Sequence, residues 1–154
     1  DGAAAVVLRA GHAADDARPR IGRGRQHMWP DTLGIMGWTV EETGLGVVFD
    51  RSIPGFVEAE LRTALDGLIP DHPVDRHVCH PGGAKVITAL ETTLSLPEGS
   101  LDVERRVLAQ NGNMSAPTVL FVLEQVLRAG TRGSLLAMAL GPGFTLSVLP
   151  ITVQ

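Results

Sequence analysis

Residues 77–87 read HVCHPGGAKVI, and the parsing of this stretch decides the fold. Its first four positions, His77 to His80, carry two histidines and the only cysteine of the 154-residue chain. The run 74-VDRHVCH-80 predicts a strand, and residues 83–96 predict a helix behind a Gly-Gly start. A strand that passes through glycines into a helix is the repeating unit of layered α/β domains.

The flanks extend the same pattern. Upstream, 38-WTVEETGLGVVFD-50 predicts two short strands around a turn near Thr43-Gly44. Pro54 opens a helix over 55–68, with Phe56, Ala59, Leu61, Ala64, Leu65 and Leu68 on its apolar face, and Pro70 and Pro73 close it. Downstream, residues 101–112 predict a helix ending at Asn111-Gly112. Ser115 then offers a cap for a further helix, with Pro117 in its first turn and 118–130 as its body. Residues 134–153 predict two strands joined across Gly141-Pro142-Gly143. The order is ββ-α-β-α-α-α-ββ, an α/β fold. Before it, 3-AAAVVLRA-10 predicts a buried strand, and the Gly-, Arg-, Asp- and Pro-rich residues 11–33 predict a loop or linker.

Composition narrows the function classes. Hydrophobic residues make up 44% and charged residues 19%, which suits a chain with one packed core. The net charge of −4 comes with no basic run, so nucleic acid is not an expected partner. No apolar run is long enough to span a bilayer, so no membrane partner is expected either. A lone cysteine and the lack of a leader-like start suit a cytoplasmic protein. The opening DGAAAVVL, without Met, reads as a start inside a longer protein.

The His77–His80 cluster admits several readings. Successive strand residues face opposite sides, so His77 and His80 diverge, and nothing elsewhere completes a zinc ligand set; no metal is expected. The same divergence separates Cys79 from His80 and rules out a nucleophile–base pair, leaving Cys79 and His77 as structural residues. His80 stands at the carboxyl end of a strand, before two glycines and a helix N-terminus, which is where α/β sheets place ligands. Position alone leaves a catalytic and a structural His80 equally open. Asn113, in 111-NGNMSAPTVLF-121, is either a turn residue or an amide donor for an oxyanion. Gly141-Pro142-Gly143 is either a hairpin turn or a tight wall along a cavity.

Taken together, HPGG at 80–83, NGNMSAPTVLF at 111–121 and GPGF at 141–144 resemble the C-terminal half of a type III polyketide synthase, of the chalcone and stilbene synthase family in the thiolase superfamily. Residues 35-IMGW-38 and 44-GLGVVFDRSIPGF-56 resemble bacterial members, and DGAAAVVL resembles the strand closing the N-terminal half. The resemblance implies a thiolase-like fold: a mixed sheet with covering helices. It divides the chain into 1–10 (last strand of the N-terminal half), 11–33 (linker) and 34–154 (C-terminal domain). It implies an acyltransferase that loads an acyl group from coenzyme A, extends it with malonyl-CoA by decarboxylative Claisen condensation, and can cyclise the product. His80 and Asn113 match the family's catalytic His and Asn. Gly82, Gly83 and Lys85 match the region that meets the pantetheine arm, and Ser115, Gly141, Pro142 and Gly143 match cavity positions. No cofactor is implied beyond the coenzyme A thioesters themselves, and the expected assembly is a homodimer.

The sequence also departs from the plant enzymes of that family. Val47 stands where a gatekeeper Phe is usual, Trp38 where a small residue is usual, and Leu140 replaces a Phe beside the GPG turn. The family's nucleophilic Cys lies upstream of Asp1, so competence would require an N-terminal half carrying it. A second reading follows from the same gap: a stand-alone, non-catalytic unit that binds coenzyme A or a partner.

Overall fold

The computed structural model describes residues 2–10, 18–70 and 72–154. Its centre is a mixed sheet built on β5 (Arg76–Cys79), β6 (Gly133–Gly141) and β7 (Thr145–Val153). β5 and β6 run parallel, with Cys79 opposite Met138, while β6 and β7 form an antiparallel hairpin. The turn between them needs Gly143 at φ 102°, a conformation that favours glycine. Two short strands, β1 (Arg20–Ile21) and β2 (Arg25–Met28), pair antiparallel with the outer edge of β7. β3 (Met36–Glu41) and β4 (Gly44–Phe49) form a separate hairpin.

Helices cover both faces of the sheet. α1 (Ile53–Leu68) and α2 (Ala84–Thr93) bury Val57, Leu61, Ile87 and Leu90 against Cys79, Leu136, Met138, Leu146 and Val148. α3 (Asp102–Asn111) and α4 (Pro117–Arg128) bury Val107, Val122 and Val126 against Val78, Leu135 and Ile151. The alternation along each strand thus feeds two cores, as a sheet covered on both faces requires. Phe144, fully buried, locks the β6–β7 turn into an aromatic cluster with Trp29 and Phe56, at ring separations of 5.7 and 5.1 Å. Burying such a ring stabilises the fold by about 2–3 kcal/mol.

Several expectations hold: the strand at β5, the helices α1 to α4, and the hairpins β3–β4 and β6–β7 all form near the expected residues. Others are corrected. Residues 3–10 form no strand and are exposed throughout, because no described strand lies alongside to take up their backbone groups. Within the expected linker, residues 18–33 include β1 and β2, whose extended state is set by β7 and not by their own polar sequence. The rest of that linker, residues 11–17, lies outside the described residues. On α1 the expected face packs at Phe56, Leu61, Ala64, Leu65 and Leu68, but Ala59 is exposed and Val57 is buried. Ser115 does not cap α4 with its side chain; Ala116 occupies that position.

Candidate active site

The site lies at the carboxyl ends of the two parallel strands. β5 ends at Cys79, and His80 follows at once, its backbone N–H donating to the Met138 carbonyl of β6 at 2.8 Å. Alternation carried one residue past the strand puts position 80 with Val78, towards α3 and α4, and Cys79 with the opposite core. The chain then turns: the Gly82 N–H donates to the His80 carbonyl at 3.0 Å, and α2 begins at Ala84. A Cβ on Gly82 would lie 3.8 Å from Cδ2 of the His80 ring, so the ring packs directly over this turn. Burial lowers the pKa of His80, which keeps the imidazole neutral near pH 7 with one N–H to donate.

Asn113 is brought to the same turn. Gly112, at φ 71°, ends α3 and redirects the chain. The Asn113 Nδ2 then donates to the Gly82 carbonyl at 3.1 Å, while its Oδ1 accepts the Ser115 N–H at 2.9 Å. One Nδ2 hydrogen therefore remains for another acceptor. The short loop that follows is held from below by Thr118, which sequence reasoning missed. This buried side chain accepts the Met114 N–H at 2.9 Å and donates to the Ser115 carbonyl at 2.8 Å. Ser115 consequently sits at φ 66°, unusual for a residue with a side chain. Its hydroxyl lies on an exposed residue beside Asn113.

The remaining expected residues fall into three groups. Gly82 and Gly83 form the turn itself, and Lys85 is exposed in the first turn of α2. Leu140, Gly141, Pro142 and Gly143 lie where β6 runs on past Met138, the strand position beside His80. The Gly143 N–H donates to the Met36 carbonyl at 2.9 Å and so joins this turn to the start of β3. Trp38 and Val47 face each other across β3–β4, 53% and 51% exposed. Two clefts, of about 530 and 420 Å³, lie elsewhere, one beside His72 and His77 and the other beside His27 and Trp29; His80 lines neither.

The cluster at 77–80 separates chemically as well as spatially. Burial, and then the neighbouring Glu104 carboxylate, push the Cys79 thiol well above its ordinary pKa, which makes it a poor nucleophile. His77 is held down to about 4 by burial and by the nearby Arg76 and Arg62 charges. Among the described residues no group of His, Cys, Asp or Glu side chains could hold a metal ion. None of the described helices is long and apolar enough to cross a membrane.

A family model described as the C-terminal domain of chalcone and stilbene synthases matches residues 20–153. The 1,3,6,8-tetrahydroxynaphthalene synthase of Streptomyces peucetius subsp. caesius is 43% identical over 94% of the chain, which spans 41% of that protein. The crystal structure of PKS-I from the brown alga Ectocarpus siliculosus superposes with a TM-score of 0.81 at 20% identity, covering 92% of this chain and 41% of its own. A fungal type III polyketide synthase, ORAS, superposes with a TM-score of 0.78 at 20% identity, covering 88% and 41%. The chain thus spans about two fifths of the length of these proteins, and its sheet and helices share their thiolase-like fold. It belongs to the C-terminal domain family of the chalcone and stilbene synthases, the type III polyketide synthases.

Proposed function

We propose that this chain is the C-terminal part of an acyltransferase that extends an acyl-coenzyme A starter with malonyl-CoA by decarboxylative Claisen condensation. The observation that carries the reading is the tie between Asn113 Nδ2 and the Gly82 carbonyl, which fixes the amide beside the turn that holds His80. Loss of CO₂ breaks the C–C bond of the malonyl group, and the electron pair passes to the thioester oxygen as an enolate. Two neutral donors, the His80 ring N–H and the second Nδ2 hydrogen of Asn113, suit that oxygen, and donors set in place beforehand lower the barrier most. The enolate carbon then attacks the acyl thioester carbonyl, forming a C–C bond and expelling the sulfur as a thiolate. That sulfur belongs to a cysteine outside this chain, since Cys79 is buried on the far side of the sheet and held protonated. A thiolate beside His80 would draw its pKa back up and favour an ion pair.

Gly82, Gly83 and Lys85 are proposed to border the pantetheine arm, and Trp38, Val47, Ser115 and the Leu140–Gly143 turn to line the growing product's cavity. The partners in this reading are acyl-CoA, malonyl-CoA and the segment bearing the cysteine, within a homodimer. The test is malonyl-CoA decarboxylation by the polypeptide that joins this chain to that cysteine. His80→Ala and Asn113→Ala each lower kcat by about 10²–10³-fold. Full-rate CO₂ release by folded His80→Ala overturns the assignment. Coenzyme A binding without any turnover by the wild type would instead mark a non-catalytic binding unit.

A further inference from the structure

β5 is an edge strand of its sheet. The His80 N–H turns inward to β6, so the Cys79 N–H turns outward, where no described strand follows. An unmet N–H at that depth is costly, because Cys79 is fully buried. The acceptor comes from α3: Oε1 of Glu104 takes the Cys79 N–H at 3.1 Å. Oε2 of the same carboxylate is gripped by Arg76 Nη2 at 2.7 Å, and Arg76 also donates to the Ser100 carbonyl. Glu104 has no exposed surface, so the carboxylate is fixed by these bonds and by packing. Nine residues on, past the end of the same helix, Asn113 holds the Gly82 carbonyl. The segment from Glu104 to Asn113 therefore clasps the His80 turn on both sides: one bond on the residue before His80, one on the second residue after it.

We infer that Glu104 is a positioning residue for His80: its buried carboxylate fixes the end of β5 against α3 and thereby sets the His80 ring relative to Asn113. The chemistry requires this distance to be held, since both donors must meet one oxygen, and small misplacements are expensive in rate. A carboxylate suits the task better than a neighbouring strand would. It satisfies a single N–H while leaving the His80-Pro81-Gly82 turn free of further sheet pairing. The consequence for rate rests on the condensation reading above; the placement of His80 does not.

Two variants separate positioning from simple stability. Glu104→Asp keeps a carboxylate for Arg76 but shortens the reach to the Cys79 N–H. The pair Arg76→Met with Glu104→Gln keeps an amide oxygen for that N–H and removes the guanidinium that would otherwise lose its partner. The readouts are Cys79 amide exchange and the His80 imidazole titration, both by NMR, together with kcat and KM for malonyl-CoA decarboxylation by the polypeptide containing the nucleophilic cysteine. Glu104→Asp is expected to speed Cys79 exchange, shift the His80 titration, and lower kcat about tenfold with KM nearly unchanged. The pair variant is expected to restore all three towards wild type. The inference is overturned if Cys79 exchanges faster in Glu104→Asp while the His80 titration and kcat stay at wild-type values. It is equally overturned if the folded pair variant protects the Cys79 amide yet shifts His80 and loses rate; that variant decides the matter alone should Glu104→Asp not fold. A wild type with no turnover removes the condensation reading, and the two NMR readouts still decide the placement of His80.

Discussion

His77 and His80 are three residues apart and both are kept neutral, but for different ends. At His80, burial alone lowers the pKa, and the ring borders the turn that Asn113 grips. At His77, burial is joined by the charges of Arg76 and Arg62, and the folded pKa falls from 6.5 to about 4. The unfolded chain therefore takes up the His77 proton first as the pH falls. Its contribution is fully present above about pH 6.5 and declines steadily down to about pH 4. Urea denaturation at pH 7.5 and 4.5 checks this: His77→Leu should shrink the loss of stability between those two values. The sequence placed both histidines on opposite sides of one strand, because alternation is a local rule. It held no sign of Glu104 or Thr118. Each looks like an ordinary helix residue until the loop or strand it binds, distant in sequence or folded back on it, is in place.

The elements divide along the same line. Helices α1 to α4 were legible because each carries its own punctuation, such as Pro54 and Pro117 at their starts and Gly112 past the end of α3. β1 and β2 were not, since RPRIGRGRQHM has no strand pattern and borrows its geometry from β7. Residues 3–10 erred the other way: an apolar run predicts a strand, but a strand exists only where another chain segment meets it. Between elements, the join of α2 to α3 rests on Glu91, which takes the Leu101 N–H at 2.9 Å and both terminal nitrogens of Arg105 at 2.7 and 2.6 Å. Glu91 is nearly buried, with 8% of its side chain exposed, so removing its cation leaves a poorly solvated charge. Arg105→Ala is expected to destabilise the fold by about 2–3 kcal/mol, read from chemical denaturation.

At the scale of the molecule, the β3–β4 hairpin stands apart from the main sheet and turns one apolar face outward. Trp38, Val40, Leu45, Val47 and Phe49 are all more than half exposed, and register places Trp38 against Val47 and Val40 against Leu45. A continuous exposed apolar face of this kind favours association in water. The isolated chain is expected to self-associate, and Trp38→Ser with Val47→Ser to shift it towards monomer in sedimentation velocity. Unchanged association in the double variant would place the sticky surface elsewhere. Both residues are among those proposed to line the product's cavity, so one hairpin would serve cohesion and specificity together.

The burial of Cys79 reaches beyond catalysis. Its sulfur lies on the strand that delivers His80, sealed from solvent and held as a thiol. A thiol-reactive dye can reach it only when β5 comes away from its neighbours. The rate of labelling is then a clock on the opening of the very strand that delivers His80, read at a side chain the molecule already carries.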